Sequence, residues 1–151
     1  MATAEALELS VLYERDETAW LEAMSALAAS GPHAEMDYQN LSEYLADMAR
    51  RDRREVFSRL VVLLTHLLKW EHQPGKRSGS WRGTIMEQRR ELRQLLESGT
   101  LRNHAAAVLA DAYAAARRQA AAESELPLQV FPPNDGRDID ELLAEPDVEK
   151  Q

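Results

Sequence analysis

Arg59, His66, Lys69 and Gln73 stand at successive spacings of 7, 3 and 4, which on an α-helix puts them on one face. Downstream, the apolar series Ile85, Leu92, Leu95 would be filled at position 88 or 89, and those positions hold Gln88 and Arg89. Successive helices joined by a short loop pack as antiparallel neighbours. His66, Lys69 and Gln73 are therefore expected to face Gln88 and Arg89 across a semi-buried polar seam, with Trp70 and Trp81 beside it. As chemistry, such a set offers an imidazole for proton transfer, His66, and cations for developing negative charge, Lys69 or Arg89. These are weak catalytic candidates, suited to a phosphate-bearing substrate. The competing reading is a hydrogen-bonded network that serves architecture, as most buried polar groups do. The seam has no carboxylate other than Glu71 or Glu87, which argues against paired-carboxylate catalysis.

His33, His66, His72 and His104 include no pair at i, i+3 or i+4, so no helical metal signature is expected, and no cofactor motif is present. The loop Gly75-Lys76-Arg77-Ser78-Gly79-Ser80 is not a phosphate-binding P-loop, since its Lys precedes the second Gly and no strand leads in. Its Ser-capped helix start, near Lys76, Arg77 and Arg82, is still a candidate anion site. A second cationic run, Arg50, Arg51, Arg53 and Arg54, is diluted by Asp52 and Glu55, and reads as a solvated face or a nucleic-acid contact.

The elements that must position these residues read as helices throughout. A first helix from Ala4 to about Glu14 places Leu7, Val11 and Leu12 on one side. A second, capped by Asp16 or Thr18, carries the stripe Trp20, Met24, Leu27 and stops at Gly31-Pro32. Asn40 or Ser42 caps the next, with Leu41, Leu45 and Met48 as its apolar face. No Pro or Gly lies between Leu41 and Gln73, so one long central helix over about 41–73 is expected. Val56, Leu60, Leu63, Leu64, Leu67 and Leu68 make it apolar over much of its circumference, as in the buried centre of a bundle. Pro74-Gly75 ends it. Ser80 caps a helix carrying Ile85, Leu92, Leu95 and Leu96, and Gly99 closes that one. A Thr100-capped helix then packs through Leu101, Ala105, Val108, Ala112 and Ala116 until Pro127. Leu128–Pro133 reads as extended, laying Val130 and Phe131 on the body, Ile139–Leu143 as one short turn, and the last residues as frayed.

Composition sets the bounds. With 151 residues, 44% hydrophobic and 29% charged, the chain is long enough for a substantial core. Cysteine is absent, which removes disulfides and thiolate chemistry and fits a cytoplasmic setting. The N-terminus lacks the basic and apolar regions of a signal peptide, and no apolar run approaches the roughly 20 residues of a membrane span. The net charge is −8, and residues 123–151 carry −7 of it, with nine acidic residues against Arg137 and Lys150. The first 122 residues are nearly neutral. The expected architecture is all-α, a bundle of about four to five helices over 1–126 with an extended acidic tail over 127–151.

The run HLLKWEHQ, followed by RSGSW and then TIMEQR, resembles the bacterial domain of unknown function 29 family. Tyr13-Glu14-x-Asp16-x-x-x-Trp20, Asp37-x-x-Asn40-Leu41-x-Glu43, Ala112-Tyr113-x-x-Ala115/Ala116-Arg117 and Phe131-Pro132 carry the resemblance to about residue 145. Two departures stand out: Glu125 where the family often has Gly after the last helix, and Pro133-Asn134-Asp135-Gly136 where it often has a Cys-Pro-Tyr-like element. The resemblance implies an all-helical fold and a bacterial origin, and no activity. By position it points to His66, Lys69, Trp70, Gln73, Arg77, Ser78, Trp81, Gln88 and Arg89, which overlap the seam and the loop.

The leading expectation is a non-enzymatic binding module that presents the 74–82 loop, with Lys76, Arg77 and Trp81, to a protein or an anion. The alternatives are a nucleic-acid-associated protein using the Arg50–Arg54 and Lys76–Arg82 cations, and an enzyme at the His66 seam. The apolar central helix and the Ala-rich helix also allow a homodimer.

Overall fold

The computed structural model describes residues 4–144, with side chains from Glu8 onward. The side chain of Leu7 and the end of the acidic tail, where fraying is expected, lie outside the described residues. Among those described there is no strand. The helices are α1 (Ala4–Arg15), α2 (Glu17–Ser30), α3 (Tyr38–His72), α4 (Gly79–Leu95), α5 (Gly99–Ser124) and α6 (Ile139–Ala144). Short 3-10 turns occupy His33–Glu35, Pro74–Lys76 and Leu128–Val130. The long central helix is continuous over 35 residues. The fold divides into Met1–Arg50 and Arg51–Gln151, and α3 contributes to both.

In the first unit Trp20 is the pivot. It is fully buried, meets Tyr13 edge-on at 4.7 Å and Tyr44 at 5.7 Å, and its indole Nε1 donates to Asp37 Oδ2 at 3.2 Å. Asp37 also accepts from Asn40 Nδ2 at 2.7 Å and from the Asn40 backbone N–H at 3.3 Å. The cap of α3 is thus Asp37, not Asn40 or Ser42. Asp16 caps α2 by accepting from Ala19 N. Met24 completes the buried set. Val11 and Leu45, on the expected apolar sides of α1 and α3, are 47% and 58% exposed: the residues these helices turn to Trp20 are Tyr13 and Tyr44 instead.

In the second unit Val56, Leu60, Leu63, Leu64, Leu67 and Leu68 of α3 are all buried, against Ile85, Leu92 and Leu96 at α4 and Ala105, Ala112, Ala116 and Ala120 of α5. Small Ala side chains let the α5 backbone approach closely. Two more caps lie upstream of the expected ones. Ser78, not Ser80, accepts from Trp81 N at 3.2 Å, and Ser98, not Thr100, accepts from Leu101 N at 3.3 Å. In both cases the cap bonds the N–H three residues on, so the glycines, Gly79 and Gly99, become first helical residues. Gly99 therefore opens α5 and does not close α4. The α5 helix ends at Ser124 with Glu125 left-handed at φ 56, ψ 33, and Leu126 N–H reaches back to Ala121 O at 3.2 Å, the Schellman closure.

The segment after Pro127 is not extended as expected. Leu128–Val130 is a 3-10 turn that leaves Val130 39% exposed and drives Phe131 into full burial. Ile139, Leu142 and Leu143 of α6 join the same core.

Candidate functional site

The antiparallel pairing of α3 and α4 is read from two contacts. Arg59 Nη1 donates to Gln88 Oε1 at 3.2 Å, and the Lys69 ammonium lies 4.9 Å from the centre of the Trp81 ring. The seam therefore exists, but in two stations. At the first, Arg59 also pairs with Glu55 at 2.9 Å and lies 3.8 Å from Glu91. At the second, Lys69 is only 7% exposed and its Nζ lies 3.5 Å from Glu123 Oε2. The seam thus has carboxylates: Glu55, one helical turn before Arg59, and Glu91 lie within the α3–α4 pair, whereas Glu123 arrives on α5 and was beyond the reach of phase within that pair. Of the two suspected, Glu71 instead pairs with Arg137 at 2.8 Å and Glu87 is exposed. His66 is half-buried, and its Nδ1 lies 2.8 Å from the Val62 carbonyl of its own helix.

Arg89 is the most buried charge among the described residues. It has no exposed surface, and its Nε donates to the Leu142 carbonyl at 3.0 Å. Its partner on α6 holds the C-terminal segment in place. The same grip is repeated nearby. Arg93 donates to the Leu143 carbonyl, Arg117 Nε to the Phe131 carbonyl at 2.9 Å, and the Tyr113 hydroxyl to the Pro132 carbonyl at 2.5 Å. Burial, and secondarily Asp135, raises the Tyr113 pKa above its ordinary value, with Arg117 opposing. Sequence reasoning missed this clasp. The one signal that touched it was the co-occurrence of Tyr113, Arg117 and Phe131-Pro132 in the family resemblance, and these four residues meet.

The loop between α3 and α4 is exposed from Pro74 to Ser80. Arg77 Nε donates to the Trp70 carbonyl at 2.8 Å, and its guanidinium lies 4.8 Å from the Trp70 ring centre. The Arg82 guanidinium lies 5.7 Å from the same ring. Two cations thus lie over one aromatic ring, an approach the ring quadrupole favours. Among the described residues Lys76, Arg77 and Arg82 form no ion pair. Gln73 Nε2 and Arg82 Nε are covered donors without an acceptor there. Structure thus gathers Trp70, Gln73, Arg77, Ser78 and Arg82 at one loop, Lys69 and Trp81 beside it, Gln88 one station along, and Arg89 at the C-terminal clasp.

Among the described residues no three His, Asp or Glu side chains are grouped to hold a metal ion, and no helix is long and apolar enough to cross a membrane. No curated protein and no solved structure matched the chain. The family model described as "Domain of unknown function DUF29" matches residues 12–146, a span that takes in the Trp20 cluster, the Trp70 loop and the arginine clasp together; the chain belongs to that family.

Proposed function

We propose that this protein is a non-enzymatic binding module whose working surface is the 74–82 loop with the adjoining ends of α3 and α4, and that its partner presents anionic groups there. The observation that carries the reading is the cation set at Trp70. Lys76 and Arg77 on the exposed loop, and Arg82 in the first turn of α4, have no ion pair among the described residues. Two of them are held against the Trp70 ring. Lys76 has no ion pair, and Arg77 spends its Nε on the Trp70 carbonyl while its terminal amines remain for recognition, where a guanidinium orients carboxylate or phosphate. The acceptor-free Arg82 Nε and Gln73 Nε2 add a preference for acceptor-rich groups. Both atoms are covered, so engaging them takes a rotamer change at the loop. The Ser78 cap fixes the start of α4, so the surface is built in advance.

Tryptophan emission tests this directly, because Trp70 and Trp81 lie against the cations. Titration with a synthetic Asp/Glu-rich peptide is expected to change the emission of the wild-type chain. The Lys76→Ala, Arg77→Ala variant, checked for folding by circular dichroism, should lose the response. An unchanged response in the folded variant would remove the reading. Saturable binding of DNA or RNA at the same surface, weakening steeply with salt, would replace a protein partner with a nucleic acid.

A further inference from the structure

Charge is unevenly placed along the chain, and the connection between α3 and α4 lies in its cationic part. Met1–Arg50 has ten carboxylates against Arg15 and Arg50, a net of −8. Residues 51–122 have fourteen cations against seven carboxylates, a net of +7, and residues 123–151 return −7. Within the cationic part no carboxylate stands between Glu71 and Glu87, whereas Lys76, Arg77 and Arg82 do. Glu71, at the edge of this stretch, pairs with Arg137 at 2.8 Å, and Glu123, arriving on α5, pairs with Lys69 at 3.5 Å. Among the described residues, folding thus leaves the charges of Lys76, Arg77 and Arg82 uncompensated.

The donors here exceed what one carboxylate can satisfy. Arg77 keeps its terminal amines after donating Nε to the Trp70 carbonyl. Arg82 Nε and Gln73 Nε2 are shielded donors without an acceptor among the described residues. Buried donors are ordinarily paired, so these two point to an oxygen acceptor independently of the helix start. Ser78 accepts from Trp81 N through its hydroxyl and from Arg82 N through its carbonyl. The N–H groups of Gly79 and Ser80 are therefore the donors left open at the start of α4, a 17-residue helix whose dipole favours negative charge there. Beyond its own helix and chain neighbours, nothing comes within 4 Å of the position a Cβ would take at Gly79, so the backbone there can be approached closely.

We infer that the anionic group taken by the 74–82 loop is a phosphate monoester, carried on a serine or threonine side chain of a partner protein. The inference rests on the reading of this loop as an anion-binding surface and narrows it. A carboxylate brings a single charge and two oxygens. A phosphoserine brings about −1.5 to −2 at neutral pH and three acceptor oxygens, which suits Lys76, Arg77 and Arg82 together with an open helix start. A nucleic-acid phosphate is a diester with a single charge and two free oxygens, so it has no such advantage, and a long polyanion also meets a chain of net −8. Exposure from Pro74 to Ser80 selects the source. An open loop offers a free small ester little of the enclosure that small-ligand sites provide, whereas a peptide adds contacts beside its phosphate, and the half-buried Trp81 has apolar surface for them.

The test uses the full chain and one synthetic peptide in three forms, with phosphoserine, Glu or Ser at a single central position, read by isothermal titration calorimetry. The phosphoserine form is expected to bind about tenfold or more tightly than the Glu form, and the Ser form more weakly still. The Lys76→Ala, Arg77→Ala variant, checked for folding by circular dichroism, should lose the phosphoserine peptide, and Arg82→Gln should separately reduce the preference over Glu. Equal binding of the phosphoserine and Glu forms, both lost in the double variant, would overturn the phosphate inference and leave the anion-binding reading standing. No binding of either form, or binding that the folded double variant retains, would overturn both. Inorganic phosphate or free phosphoserine binding as tightly as the peptide would make a free phosphate the occupant, and tighter binding of an oligonucleotide without terminal phosphates would make it a diester; either result overturns the inference.

Discussion

Arg89 shows how much a single side chain can decide. A guanidinium without exposed surface has left water entirely, and it is tolerated because it meets hydrogen-bond acceptors such as the Leu142 carbonyl. Truncating it removes packing and leaves a carbonyl unpaired. Arg89→Ala is expected to cost about 3–5 kcal/mol in denaturant unfolding, and Arg89→Lys should recover little, because an ammonium cannot reproduce the planar fork. Tyr113 gives a pH signature. Its folded pKa is raised above the ordinary 10.0, so the folded state favours the neutral phenol. Below pH 10 both states are neutral and its contribution is intact. As pH climbs from there through the raised folded value, the unfolded chain ionises first and stability falls. Thermal melts across this range should show the decline, and Tyr113→Phe should flatten it while lowering stability at neutral pH by about 1 kcal/mol. Helix phase singled out Arg89 as polar within an apolar stripe. It could not identify the partner, because a backbone carbonyl has no letter of its own.

At the scale of elements, helix identity was legible because each stripe repeats at 3.6 residues and the stops are Gly and Pro. The central helix was readable as one piece for lack of any breaker between Leu41 and Gln73. Leu64→Ala and Leu67→Ala, both fully buried, should each cost about 2–5 kcal/mol; losses under about 1 kcal/mol would contradict the core described above. Caps were less legible, since Ser78 and Ser80, or Ser98 and Thr100, are chemically equivalent candidates two residues apart. Only the bond to Trp81 N or Leu101 N decides between them. Glu125 supplies a stabilising prediction. It adopts the left-handed conformation that closes α5, where a Cβ is costly and Gly is not. Glu125→Gly should raise stability by about 0.5–1 kcal/mol, read as an upward shift of the melting temperature. A downward shift would mean that the Glu125 side chain contributes more than its backbone costs.

For the molecule, the two units keep different charge balances. Summing over the first 122 residues hid this, because the boundary between −8 and +7 falls inside one uninterrupted helix, where composition gives no punctuation. The fate of the C-terminal segment was also illegible. Residues 128–133 contain two prolines and an apolar pair, which read equally well as an extended strap, and the 3-10 turn that buries Phe131 while exposing Val130 depends on where Arg117 and Tyr113 hold the backbone. Leu142→Asp, at a fully buried position, should therefore lower the melting temperature of the second unit as strongly as a core substitution in α3. A change confined to a loose tail would leave the melt unmoved, so differential scanning calorimetry separates the two cases.

The clasp carries a consequence for the order in which the chain is made. Phe131, Leu142 and Leu143 emerge from the ribosome after α3, α4 and α5, yet they complete the core those helices form. Until they arrive, the nascent helices expose the apolar surface that these side chains later cover, and Arg89 lacks its Leu142 acceptor. Apolar surface left open for that interval makes the chain prone to aggregation until the segment arrives. Because the clasp grips carbonyl oxygens, the interval ends when the backbone of the segment reaches its arginines.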